Sequence, residues 1–258
     1  MKDQFVIACL DRPEDAATVL LWARHFSERL NRKGLMVLHV GREKGDDHWL
    51  EQLGIPFASL VGDWRTALNG LPTAFNGILA VTAFSPTAPR HSLAHPKTLL
   101  REFQGCKIAY LCIPSHHSTP ITQHSALTLT HQREGKEKLV WASYLARFLG
   151  SRITIAHPDY RDAGLRQRWL NNMRFADKMF SPLNIAYSTR PLGRSTHEDL
   201  AAAHELTPDL LVAMTTDSRE QDILDHFLPR PELRLLRQFP SLPVLFLNPR
   251  DDLYILCD

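Results

Sequence analysis

Thirteen histidines in 258 residues invite a metal reading. His116-His117 and His124 share one polar stretch, and His91 with His95 another. Neither group has Cys/His ligand spacing, H-E-x-x-H is absent, and His204-Glu205 lacks a second histidine. Scattered, solvent-facing imidazoles are therefore the expectation, and no metal site is assigned. His39 and His157 close similar apolar runs and read as a shared structural place. Ser85 and Ser218 follow apolar runs without a G-x-S-x-G elbow or an assignable base, so no catalytic residue and no enzyme are expected. Cys106 and Cys112 bracket another apolar run and read as inert core thiols. Arg161, Arg166, Arg168, Arg174 and Lys178 lie on one helical segment with Leu165, Trp169 and Met173. Without aromatic interleaving they make a solvated helix face and not a nucleic-acid surface. Trp64, Trp169 and Met173 are expected in the core.

The elements that would position such residues belong to an ordinary globular chain. It is 44% hydrophobic and 22% charged, too apolar for disorder. Thirty Lys+Arg against 28 Asp+Glu leave a formal +2, which gives no bulk electrostatic footprint for nucleic acid. Four cysteines without C-x-x-C point to a reducing compartment. The first apolar run, residues 5–10, is too short for a signal h-region, and no run reaches the ~18 residues of a membrane span. A cytoplasmic location is expected.

The chain repeats itself. Leu20-Leu21-Trp22-Ala23 recurs as Leu139-Val140-Trp141-Ala142, each followed by an apolar helical stripe. A strand-like run ending in His comes next, MVLH at 36–39 and ITIAH at 153–157. KIAYLCIP (107–114) and LPVLFLNP (242–249) close the two copies alike. The expected domains are residues 1–115 and 125–258, joined by a polar linker at 116–124.

Each copy alternates strand and helix. Copy one reads as strands at 5–10, 36–40, 55–61, 78–84 and 108–113. Asp11 is a candidate cap for the Trp22 helix; Asp63 caps a helix that Pro72 ends, and another helix spans 96–104. Copy two reads as strands at 126–130, 153–157, 185–189, 210–214 and 244–247, with a helix over 134–149. Leu165, Trp169, Met173, Ala176 and Phe180 predict an amphipathic helix stopped by Ser181-Pro182. Ser195 with Glu198 makes a capping box, and 218–238 is helical with a break at Pro229 and Pro231. Residues 41–54 leave little room for the crossover helix that copy two carries in 158–183. The fold class is α/β: two tandem, doubly wound, Rossmann-like domains of parallel strands joined by right-handed crossovers.

The strand, acidic cap, helix and His-ending strand of LDRPEDAATVLLWA (10–23) and LMVLHV (35–40) resemble the opening of the universal stress protein family. DLLVAM (209–214) and LRQFPSLPVLFLNP (236–249) resemble its close. The resemblance implies five parallel strands per copy in the order 3-2-1-4-5, with the copies related by a pseudo-twofold axis through the last strands. It also implies an intrachain pseudo-dimer, leaving a homodimer open.

The nucleotide-binding branch of that family carries Gly-x2-Gly-x9-Gly-Ser/Thr after strand four, glycines that let amides close on phosphate. The resemblance puts those glycines at Thr216, Arg219 and Pro229, with Arg230 at the hydroxyl position, and near Val81, Phe84 and Ala94 in copy one. None is glycine. The acid that reads adenine matches Asp11, and Thr130 or His131 in copy two. ATP binding of the family's usual kind is not expected, and no cofactor is assigned. Ligand crevices lie beyond the carboxyl ends of the strands. Their candidate residues are Asp11, Val40, Thr82 and Ser85 in copy one, and Thr130, Thr216, Arg219 and Arg230 in copy two.

The resemblance implies a non-catalytic stress-response or regulatory module that binds a protein partner or small ligand, with no nucleic acid and no membrane insertion. Two alternatives stay open: a cytosolic regulatory domain of a cation/proton antiporter, and a nucleotide-binding or nucleotide-hydrolysing protein in which Arg219 and Arg230 replace the glycine cradle.

Overall fold

The computed structural model describes residues 4–30, 33–41, 47–193, 197–216 and 230–249. Two compact units divide the chain, Met1–Pro120 with Leu236–Pro243 and Ile121–Leu235 with Val244–Asp258.

In the first unit β1 (Phe5–Leu10) is apolar and almost wholly buried, as a strand covered on both faces must be. A 3-10 turn at Pro13–Asp15 opens α1 (Ala16–Arg29), whose Val19, Trp22, Ala23 and Phe26 are fully buried. Then come β2 (Gly34–Gly41), the four-residue α2 (His48–Glu51) and β3 (Phe57–Val61). α3 (Trp64–Ala74), β4 (Gly77–Phe84), α4 (Pro96–Phe103) and β5 (Ala109–Pro114) complete the unit. All neighbouring strands are parallel, in the order β3-β2-β1-β4-β5.

The second unit repeats the plan with β6 (His124–Thr128), a 3-10 turn at Arg133–Gly135 and α5 (Lys136–Leu149). Gly150 ends α5 at a left-handed φ of 72°, where a Cβ would be strained. β7 (Arg152–Pro158), the 18-residue α6 (Ala163–Phe180) and β8 (Tyr187–Leu192) follow. α7 (Glu198–Leu206), β9 (Leu210–Met214), α8 (Pro231–Gln238) and β10 (Val244–Leu247) close it. The strand order β8-β7-β6-β9-β10 is again 3-2-1-4-5 and parallel.

Between β2 and β3 the described residues hold the four-residue α2, where the second unit has the 18-residue α6. β3 is accordingly left bare, with Phe57, Leu60 and Val61 at 39%, 39% and 57% exposure.

Several local expectations are corrected. Pro72 does not end α3, which runs two residues further to Ala74, although Asp63 does cap it through the Thr66 amide at 2.8 Å. Asp11 does not cap α1; the Arg12 side chain reaches Asp15 instead, and Asp11 is engaged elsewhere. β6 starts and stops two residues before the predicted 126–130, and β8 lies two to three residues beyond 185–189. The capping box cannot be judged, because Ser195 lies outside the described residues; so do residues 217–229 of the predicted 218–238 helix. The linker histidines are not all solvent-facing. His117 sets its ring edge-on to Trp22, 5.4 Å away, and its carbonyl accepts the indole N–H at 3.1 Å. His124 lies in β6, its Nε2 3.0 Å from the Thr154 hydroxyl, and His95 caps α4 through the Lys97 amide. Trp64 and Trp169 are half-buried, whereas Met173 is in the core. Burial pushes the thiols of Cys9, Cys106 and Cys112 up, away from the reactive thiolate.

Candidate functional site

In a parallel α/β sheet the turns at the strand carboxyl ends converge on a crevice. The first unit fills its crevice with its own chain. The segment between β4 and α4 folds back so that Ser92, Leu93 and Ala94 are at most 2% exposed. Asp11 holds it: its Oδ2 accepts the Ser92 hydroxyl and the Leu93 amide, both at 2.7 Å. Ser85 donates its amide to the Ala94 carbonyl at 2.8 Å, closing the base of the loop. Thr82 is buried within β4, and Val40 is buried at the end of β2. Each of these four predicted residues therefore packs or clasps the protein itself. His39, beside them, spends Nδ1 on the Leu10 carbonyl at 2.8 Å.

The second unit keeps a cavity of about 240 Å³ at the corresponding strand ends. Thr130 and Thr216 both line it. The turn that carries Thr130 is held from behind by Asn172 of α6, whose amide donates to the Thr130 and Gln132 carbonyls at 2.9 Å each. Arg230 is not among the residues that line the cavity, and Arg219 lies outside the described residues.

The lining residues that were not predicted include Thr128, Lys138, Asp199 and Glu232. Lys138 of α5, only 4% exposed, donates to the Thr128 hydroxyl at 2.7 Å, and Thr128 donates onward to Asp199 Oδ1 at 2.5 Å. The ammonium lies 3.8 Å from that same oxygen. Glu232, the second residue of α8, is 5% exposed and accepts the Thr216 amide on Oε1. Its Oε2 is buried without a partner among the described residues.

The chain matches no protein-family profile and no curated protein. Solved structures do match over its whole length. A universal stress protein from Archaeoglobus fulgidus superposes with a TM-score of 0.66 at 13% identity, over 96% of this chain and 97% of that one. A putative universal stress protein from Pseudomonas aeruginosa gives 0.58 at 13% identity, over 99% and 95%. A functionally unknown protein from the same organism gives 0.60 at 14%, over 99% and 95%. The chain has the universal stress protein fold, in two tandem copies.

Within the universal stress protein fold the two copies treat the nucleotide-site positions differently. Asp11, which the resemblance matched to the family's adenine-reading acid, is spent on Ser92 and Leu93. Thr216, which the resemblance matched to the first glycine, has its amide already taken by the Glu232 carboxylate. A phosphate at that amide would meet Glu232 at contact distance, with like charges opposed in a partly desolvated site.

The missed residues had a signal in the repeat. Aligning Trp22 with Trp141, an offset of 141 − 22 = 119, sets Cys9 against Thr128 and Val19 against Lys138. Aligning Pro96 with Pro231 at the starts of α4 and α8 sets Lys97 against Glu232. A charge in an otherwise apolar stripe, and a reversed charge after matching prolines, mark the cavity. No group of three or more His, Cys, Asp and Glu residues is placed to hold a metal among the described residues. Nor is any described helix long and apolar enough to cross a membrane.

Proposed function

We propose that this chain is a non-catalytic regulatory module of the universal stress protein type that works in the cytoplasm by binding a small ligand or protein partner, and that it does not take ATP in the family's usual way. The observation that carries the reading is the fate of the two phosphate cradles. At one crevice the chain's own Ser92, Leu93 and Ala94 are buried, with Ser92 and Leu93 clasped to Asp11. In the other, Glu232 occupies the Thr216 amide that a phosphate would need. Amides aimed at a phosphate work only while they are free and the surrounding field is positive. The nucleophile-and-base geometry that turnover needs is likewise not assembled around Ser85, whose hydroxyl pairs with Thr87 at 2.9 Å.

Titration calorimetry of the whole chain with ATP and AMP tests this. Millimolar or weaker affinity is expected. Micromolar ATP binding, or ATP turnover by the purified protein, would overturn it.

A further inference from the structure

Among the described residues of the second unit, Glu232 is the acidic or basic side chain that keeps a buried atom without a hydrogen-bond partner. Its residue is 5% exposed, one oxygen is engaged by Thr216, and the other is buried with no donor among the described residues. A desolvated carboxylate oxygen without a donor is unfavourable, and native proteins rarely leave one unless something else supplies the donor. The terminal torsion of a glutamate is broad, so the carboxylate can turn toward the cavity it lines without changing rotamer.

That cavity has the wrong sign for phosphate and the right sign for a cation. Among the described residues its charged lining is Glu198, Asp199 and Glu232 against Lys138, three acids less one base, or −2 with His197 neutral. Lys138 is committed to Thr128 and Asp199, and no ion pair to Glu232 is made among the described residues. The remaining wall includes Ala213, Leu235 and Phe246. The cavity volume is about 240 Å³. It falls below the roughly 300–1,000 Å³ of pockets that hold drug-sized ligands. A bare metal ion is disfavoured because the acids do not converge into a ligand set among the described residues.

We propose that the second unit binds a small organic cation, an amine or guanidinium on a short apolar chain, whose N–H donates to Glu232 Oε2 while the chain lies against Leu235 and Phe246. This names the ligand class of the module proposed above and rests on that reading. A charge-assisted hydrogen bond in a largely buried setting is the contact that would order the cavity.

The test is calorimetry of the full chain with putrescine and agmatine, alongside butane-1,4-diol as a neutral chain of similar length, and ATP. Saturable binding of a cation is expected, with the diol at least tenfold weaker. Glu232→Gln preserves the shape and an acceptor for the Thr216 amide, and should weaken the cation at least tenfold while circular dichroism stays unchanged. Amide shifts in the wild-type protein should centre on Thr128, Ala213 and Phe246, which locates the site without any variant. No saturable binding of either cation, equal binding of the diol, or cation binding undiminished by Glu232→Gln would each overturn the assignment. Tight ATP binding would overturn the parent reading instead, and the two failures are read from separate titrations.

Discussion

The two crevices have the same strand order around them and opposite contents. In the first, an acid at the end of β1 is consumed by the protein's own loop, and apolar Cys9 and Val19 stand behind it. In the second, Thr128 and Lys138 replace that pair, and a glutamate faces a cavity. Once a chain carries two copies of a binding fold, one crevice can be packed for stability while the other stays open.

Exchanging residues between the copies is the strongest way to break this comparison. Val19→Lys puts an ammonium into a place that is 0% exposed. It should cost about 4 kcal/mol or more, or abolish folding. If urea melts show Val19→Lys to be as benign as wild type, the first crevice is not the closed core described here. Trp22→Ala removes a side chain that is 0% exposed, an expected loss of about 3–5 kcal/mol. The equivalent Trp141→Ala, at a half-buried position, should lose only about 1 kcal/mol. Equal losses would contradict the asymmetry.

Asp11→Ala strands the Ser92 hydroxyl and the Leu93 amide, both buried. It should cost about 2–3 kcal/mol. Hydrogen exchange at Leu93 and Ala94 should accelerate together with that loss, and an unchanged exchange rate there would remove the clasp from the explanation. Lys138→Met in the open crevice should cost less, about 1–2 kcal/mol, because Asp199 keeps 24% side-chain exposure and water replaces the lost partner. A larger loss than that of Asp11→Ala would reverse the ranking of the two sites.

The smallest effect is with pH. Partial burial, then neighbouring cationic groups, lowers the imidazole pKa of His25 and His95 in the first unit and of His124 in the second. The folded chain therefore binds these protons less readily than the unfolded one. Stability is fully present above the unfolded value near pH 6.5 and falls as pH drops through it toward the lowered folded values. Each group is partly exposed, so the change should stay under about 1 kcal/mol per residue. Urea midpoints from pH 7.5 to 5 should drift downward, and His124→Gln should flatten the part belonging to the second unit. A rising midpoint would mean the wrong sign.

Much of the fold was legible because burial on both faces forces continuous apolar runs, and β1, β4, β5, β9 and β10 are such runs. The edge strand β8 was displaced by two to three residues because YSTRPL is mostly exposed and carries no periodic signal. Asp11 was misread as a helix cap because its sequence neighbours form one, while its true partners, Ser92 and Leu93, lie 81 and 82 residues away. Glu232 went unnoticed because a glutamate in the first turn of a helix is ordinary there.

The amino-acid sequence by itself determined the duplication, the strand–helix alternation, the shortened second crossover and the loss of the phosphate-binding glycines. These are local properties: apolar runs, matching motifs and residues that are present or missing. Tertiary structure alone decided that one crevice is closed and the other open. That outcome depends on whether a carboxylate finds donors contributed by distant segments, and Asp11 finds two where Glu232 finds one. Hydrogen-bond satisfaction is settled by folding in three dimensions, and no spacing along the chain encodes it.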